Sequence, residues 1–296
     1  MTYYRSISVL TLIRGRQEHF DHLVAGLKAQ NRVPDELVIA YMQDEPPQVP
    51  DDTAFAIQYV HVPGGDLPLA RARNEAAAAA AGDVLVFLDV DCIPDPWLAR
   101  RVEEVFEEDL SAVYLPEVHY LAANDESWLD ERTGEPRYSE LERDAVRHPA
   151  KPDVFGTPVT PIDDYGELWG LAFVLHYQTW RDADGMDEAY IGYGAEETDF
   201  AQRLKQIDAP MYWLGGTRCF HQHHSVHKPP LQHFESIVRN AQLFRQRWGK
   251  WCMDYWLEDF ERRGMIKCTD NRIEVLRAPT AAEIDATRQS SEVRFS

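Results

Sequence analysis

Gly82-Asp83-Val84-Leu85-Val86-Phe87-Leu88-Asp89-Val90-Asp91 is the stretch that decides how this chain folds. Val84 to Leu88 is an unbroken apolar run of strand length, so it reads as a strand covered on both faces. It ends in two carboxylates one residue apart, and a buried strand has no use for such a pair unless its mouth holds something positive. Side chains alternate on an extended backbone, which puts Asp89 and Asp91 on one face. Two hard oxygen ligands suit Mg²⁺ or Mn²⁺, and through the ion a diphosphate. The competing reading is an ordinary Asp-rich turn after a strand.

Working outward, Ser6–Ile13, Glu36–Met42 and Ile57–Val62 read as strands, and Glu18–Gln30, Leu69–Ala81 and Pro96–Glu108 as helices. This alternation predicts an α/β domain with a parallel sheet covered on both faces. Ligands of such sheets bind beyond the carboxyl ends of the strands, where Asp89 and Asp91 lie. Asn124–Tyr165 is polar and weakly periodic, and reads either as a long functional loop with a short helix at Glu140–Arg147 or as a partly mobile segment. Then come a strand at Leu168–Leu175, a helix at Glu196–Ile207, and short strands at Met211–Leu214 and Arg218–Phe220. Leu231–Arg263 is helical and aromatic-rich, its Phe234, Phe244 and Trp248 reading as core rather than as a sugar platform. The tail after Pro279 reads as polar and frayed.

The net charge of −20 disfavours nucleic acid and anionic membrane as partners. Cys92, Cys219, Cys252 and Cys268 form no C-x-x-C pair and read as free thiols of a reducing compartment. The N-terminus lacks the charged-then-apolar pattern of a leader, and no segment reaches the ~18 apolar residues of an integral membrane span. The expectation is a cytoplasmic protein.

Three further constellations carry chemistry. Gly192-Tyr193-Gly194-Ala195-Glu196-Glu197-Thr198-Asp199 opens a helix with a run of acids. Capping explains one or two of them; a carboxylate held behind a Gly-Tyr-Gly hinge is also placed to take a proton from an acceptor hydroxyl. His221-Gln222-His223-His224 follows a strand; alternation puts His221 and His223 on one face and His224 on the other, a metal-ligand pattern that competes with structural histidines. Gly64-Gly65 leads into a helix that carries Arg71 and Arg73 near its start, where arginine is unfavourable unless it meets an anion such as a diphosphate.

In this order the pieces resemble the family 2 glycosyltransferases of the GT-A fold. The resemblance rests on Thr11-Leu12-Ile13-Arg14-Gly15-Arg16, Ala70-Arg71-Ala72-Arg73-Asn74, the Leu88-Asp89-Val90-Asp91 DXD motif, Trp169–Val174 and Asp184–Glu188. Gly192 to Phe200 is similar to the Gly-Trp-Gly-x-Glu-Asp segment of the C-terminal region of galactosyltransferases. The resemblance implies a Rossmann-like mixed sheet with helices on both faces and a C-terminal helical segment. It divides the chain into a nucleotide-sugar half at residues 1–115, an acceptor and metal half at 116–230, and C-terminal helices with a polar tail at 231–296.

It implies that Asp91 ligates the metal, Mn²⁺ or Mg²⁺, and that Asp89 contacts the ribose or the metal's water shell. His221 follows Glu196 by 25 residues, a spacing that also resembles the polypeptide N-acetylgalactosaminyltransferases, so His221 is preferred over His223 as the second ligand. Glu197 stands where inverting members carry their catalytic base, and Glu196 orients the acceptor. Thr11, Arg14, Asp44, Arg71 and Arg73 fall among the donor-binding positions. Asp44 stands in for a uracil-recognising Asp-Asp-Gly-Ser that is absent here. Trp169 and Gly170 fall at the acceptor, with Trp169 and Trp180 as candidates to stack on it. The implied activity is inverting transfer of a hexose, galactose-type favoured, from a nucleotide sugar, with UDP as the expected nucleotide, to a glycan or other hydroxyl-bearing acceptor. The alternatives are a retaining N-acetylgalactosaminyltransferase-like enzyme, a metal-dependent nucleotidyltransferase and a non-catalytic sugar-binding protein.

Overall fold

The strand quoted above lies near the middle of a ten-stranded sheet. The structure, a computed structural model, describes residues 5–123 and 127–295. The readings of the extreme N-terminus and of the first residues of the polar segment at Asn124 lie outside them. The first half alternates as expected: β1 (Ile7–Ile13), α1 (Gln17–Lys28), β2 (Glu36–Tyr41), β3 (Ala56–His61), α2 (Leu69–Ala79), β4 (Val84–Leu88), β5 (Cys92–Pro94) and α3 (Leu98–Glu108). The second half runs β6 (Val113–Tyr120), α4 (Tyr138–Asp144), β7 (Val146–Arg147), β8 (Val159–Ile162), β9 (Ala172–His176), α5 (Tyr177–Asp182), α6 (Glu196–Gln206) and β10 (Met211–His221). After it come α7 (Phe234–Trp248), α8 (Asp254–Arg262), the hairpin β11 (Ile266–Cys268) and β12 (Ile273–Val275), and α9 (Ala281–Ala286).

The sheet order is β3-β2-β1-β4-β9-β6-β10-β5, with β7 on β6 and β8 on β10. β1 to β4 pair in parallel. β9 runs antiparallel to β4 and β6, so the sheet is mixed, as the family resemblance implied and the strand-helix alternation alone did not. Alternation along β4 divides the core. Leu85 and Phe87 join the layer under α2, α5 and α6, and Val84, Val86 and Leu88 join the layer under α1 and α3. Each of these buried side chains contributes about 1.5–3 kcal/mol of apolar transfer free energy. The poly-alanine face of α2 (Ala70, Ala72, Ala76, Ala77) lets that helix lie close on the strands.

Three expectations change. The two short strands near Met211 are one strand, β10, whose pairing with β6 shifts register between Leu214 and Arg218. The helical stretch from Leu231 breaks into α7 and α8 at Gly249, which caps α7 with φ 69°. The tail is not frayed: Thr280 and Glu283 form a capping box at α9. Arg294 then donates to the carbonyls of Tyr120 (3.3 Å) and Asp144 (2.7 Å). The tail is polar, but its hydrogen bonds are made to the body of the domain.

Candidate active site

β4 ends at Leu88, and the next residues turn rather than extend: the Cys92 amide donates to the Asp89 carbonyl at 2.9 Å. Strand alternation therefore does not apply to Asp89 and Asp91, and the two carboxylates face different neighbours.

Asp89 faces Arg73, with Nη2 3.5 Å from Oδ1. The same guanidinium lies 3.5 Å from Glu196 Oε1 and 3.3 Å from Glu197 Oε1. Arg73 is thus a buried cation among three carboxylates, and they outweigh its burial and hold it protonated. Burial pushes Glu196 up to about 7, aided by Glu197 and resisted by Arg73. Burial likewise pushes Asp89 to about 7, against Arg73 and with help from Asp91 and Glu197. Within the acidic pair the side chain of Glu196 is 5% exposed and that of Glu197 31%, so Glu197 is the one within reach of a substrate. The third acid of the run, Asp199, is structural: it accepts from Tyr190, Arg203 and Trp248 at 3.1, 2.8 and 2.7 Å. Gly170 is packed against the cluster, and a Cβ there would overlap Glu197 Oε1 and stand 2.6 Å from Arg73 Nη2. Asn74 clamps the neighbouring loop, exchanging hydrogen bonds with the backbone of Met186.

Asp91 faces the other way. Its Oδ1 is 3.5 Å from His221 Nε2 and its Oδ2 3.6 Å from His224 Nε2. Ligand atoms of these three residues all lie within 4.8 Å of one another. Arg16 also pairs with Oδ2. Burial works against the charge on Asp91, but the side chains around it, His221 and Arg16 foremost, hold its pKa below the usual value. Burial lowers His221, and lowers His224 to about 4, so both imidazoles are neutral and carry the lone pair a metal needs. Asp91 Oδ1 is buried without a hydrogen-bond partner. One orphaned carboxylate oxygen with two neutral imidazoles is a donor set that fits a divalent cation.

His224 enters this group where alternation had placed it on the opposite face from His221. β10 ends at His221, the following residues are irregular, and His223 instead places its carbonyl 3.2 Å from His19 Nε2. Neither Arg16 nor His224 was singled out as a ligand-facing residue from sequence. The left-handed φ of 57° at Arg16, directly after Gly15, aims its side chain across the cleft, and no spacing rule exposes that.

The other expected positions are distributed unevenly. Thr11 is fully buried in β1, so its hydroxyl does not reach the cleft. Arg71 pairs with Glu75 at 2.5 Å one turn along α2 rather than meeting an anion. Arg14 donates to the Gly65 carbonyl and lines a cavity of about 410 Å³ shared with His233 and Arg239. Asp44 is exposed beyond β2. Trp180 is stacked on Phe87 at 4.8 Å and tilted against Phe200 at 4.9 Å, and it is buried, so it is core and not an acceptor platform. Trp169 lines a cavity with Tyr120, His148, Lys151 and Trp213, and the Lys151 ammonium sits 3.6 Å over its ring.

Comparison with known proteins now adds to this geometry. Residues 24–159 match the family model described as glycosyl transferase family 2, and residues 151–225 match that of the N-terminal domain of galactosyltransferase. The first match covers just under half of the chain, which is similar to the family 2 glycosyltransferases over that part. Solved structures agree at the level of the fold. One, of GalNAc-T7 with UDP, GalNAc and Mn²⁺, has a TM-score of 0.55 at 12% identity, over 74% of this chain and 43% of that one. Another, of residues 1–349 of TarS from S. aureus, has a TM-score of 0.54 at 14% identity, over 81% of this chain and 65% of that one. The same TarS segment is also solved with UDP-GlcNAc. The chain spans less than two thirds of the length of these structures. Among curated proteins no match is found. No helix among the described residues is long and apolar enough to cross a membrane.

Proposed function

We propose that this chain is a glycosyltransferase that moves a hexose, galactose-type favoured, from a UDP sugar to an acceptor hydroxyl with inversion at the anomeric carbon. The observation that carries the reading is the convergence of Asp91, His221 and His224 beside a buried arginine that ties Asp89 to Glu197. Asp91, His221 and His224 would hold the cation, Mn²⁺ or Mg²⁺, which supplies positive charge to the diphosphate leaving group. Glu197 accepts the proton of the acceptor hydroxyl as that oxygen attacks the anomeric carbon, and the nucleoside diphosphate departs with the electrons of the broken bond. Arg73 fixes the Glu197 carboxylate, and Glu196 fixes Arg73 from its buried side. The UDP complexes among the similar structures support the choice of nucleotide.

A thermal-shift screen of nucleoside diphosphates with and without Mn²⁺ tests the donor half, since a ligand that binds only the folded state raises its melting point. UDP with Mn²⁺ should give the largest shift. No nucleotide shift under either condition contradicts the proposal. Determining the anomer of the product then decides inversion.

A further inference from the structure

His221 and His224 reach the same carboxylate, yet β10 ends at His221 and the residues after it are irregular. No sheet ladder fixes the distance between the two imidazoles, so other contacts must. Of the two residues between them, Gln222 is the buried one, 5% exposed. Its backbone amide donates to the Asp91 carbonyl at 2.7 Å, which fastens the chain directly after one imidazole to the backbone of the carboxylate residue. The His221 carbonyl accepts from the Leu121 amide at 2.9 Å, so the chain is held on that side as well.

The Gln222 side chain is fastened at both ends to α1. Nε2 donates to the His19 carbonyl at 3.0 Å, and Oε1 lies 2.6 Å from His22 Nδ1. A carbonyl can only accept, so the amide nitrogen faces His19, the amide oxygen faces His22, and His22 carries its proton on Nδ1. The His22 ring is itself buried and stands edge-on to Trp128, with 5.0 Å between centroids. One residue further on, the His223 carbonyl lies 3.2 Å from His19 Nε2, and by the same rule that nitrogen is the donor. His19 and His22 are three apart on α1 and share a face. Three hydrogen bonds thus run from that face to residues 222 and 223, and none of them uses an atom of the triad's side chains. A buried amide paired at both ends has one favourable position, because moving it would strand buried partners.

We propose that Gln222, held by His19 and His22, is the positioning residue of the metal centre: it fixes the chain between His221 and His224 so that both imidazoles face Asp91. This rests on the reading of that triad as the cation site. The test titrates Mn²⁺ into the protein in the presence of UDP, follows the free ion by electron paramagnetic resonance well below every melting temperature, and records those temperatures alongside. Gln222→Met keeps the length of the side chain and makes neither α1 bond; it should weaken Mn²⁺ binding about 10–100-fold, the scale of a lost outer partner at a metal site. His22→Phe keeps a ring against Trp128 without the Nδ1 proton and should weaken it in the same direction. Both changes break one bracket, so the double variant should bind Mn²⁺ no more weakly than Gln222→Met alone. Wild-type Mn²⁺ affinity in the single variants, whatever their melting temperatures, or losses that simply add in the double variant, overturn the positioning role. Should Gln222→Met fail to fold, His22→Phe decides alone: an undiminished affinity overturns the role. A wild-type chain that binds no Mn²⁺ overturns the cation site itself, and the positioning role with it.

Discussion

Asp89 and Asp91 stand two residues apart and belong to chemically different neighbourhoods. Asp89 shares the buried guanidinium of Arg73 with Glu196 and Glu197, a cluster that carries its own permanent cation. Asp91 pairs with Arg16 through one oxygen, faces two neutral imidazoles and keeps its other oxygen without a hydrogen-bond partner, which leaves donors free for a cation from outside. The turn at Asp89–Cys92 separates them, closed by the 2.9 Å hydrogen bond between those two residues. One short turn thus divides the proposed labour: one side positions a base, the other receives a metal and a diphosphate.

The largest effect should come from the base. Glu197→Gln keeps the shape but cannot accept a proton, so transfer should fall about 10²–10⁴-fold. UDP binding with Mn²⁺ should persist, because that belongs to the other cluster. Transfer at the wild-type rate removes Glu197 from the chemistry. A smaller effect comes from crowding the same cluster. Gly170→Ala drives a methyl group into Glu197 and Arg73; a displacement of that kind is expected to lower the transfer rate about 10²-fold while metal binding stays. Unchanged kinetics would mean that the Glu197 carboxylate does not work from the position seen here.

The smallest effect is a pH dependence of stability. Glu196 titrates at about 7 in the folded chain against an ordinary 4.5. The folded state therefore holds this proton more tightly than the unfolded one. The resulting stabilisation is complete below the unfolded value and is lost as pH rises through about 7. Glu196→Gln lacks this dependence. Its melting temperature relative to wild type should therefore be higher at pH 8 than at pH 5, and a difference independent of pH would contradict the assignment.

Much of this arrangement was legible in the sequence because burial writes itself into patterns. The continuous apolar run of β4, the alanine face of α2 and the glycines before α6 each have one reasonable structural reading. The mixed sheet and the approach of His221 to Asp91 followed from motifs taken in order, whereas the difference in burial between Glu196 and Glu197 did not. What failed was local geometry at the strand ends. Alternation was extended past Leu88 and past His221, into segments that are not strands, and it therefore placed Asp89 with Asp91 and excluded His224. Arg71 and Arg73 look equivalent in the helix start, yet one is paired at the surface with Glu75 and the other is buried among acids. Residues beyond Pro279 looked too polar to order, because hydrogen bonds from Arg294 to carbonyls more than a hundred residues away leave no trace in a sequence pattern.

The most direct test of the central claim, one cation shared by Asp91, His221 and His224, is the Mn²⁺ dependence of UDP affinity in His224→Ala and His223→Ala, measured by calorimetry beside the wild type. His224→Ala should lose most of the metal-dependent gain, while His223→Ala, altered only in a side chain outside the triad, should keep it. UDP binding that is indifferent to Mn²⁺ in the wild type, or a loss confined to His223→Ala, would contradict the account.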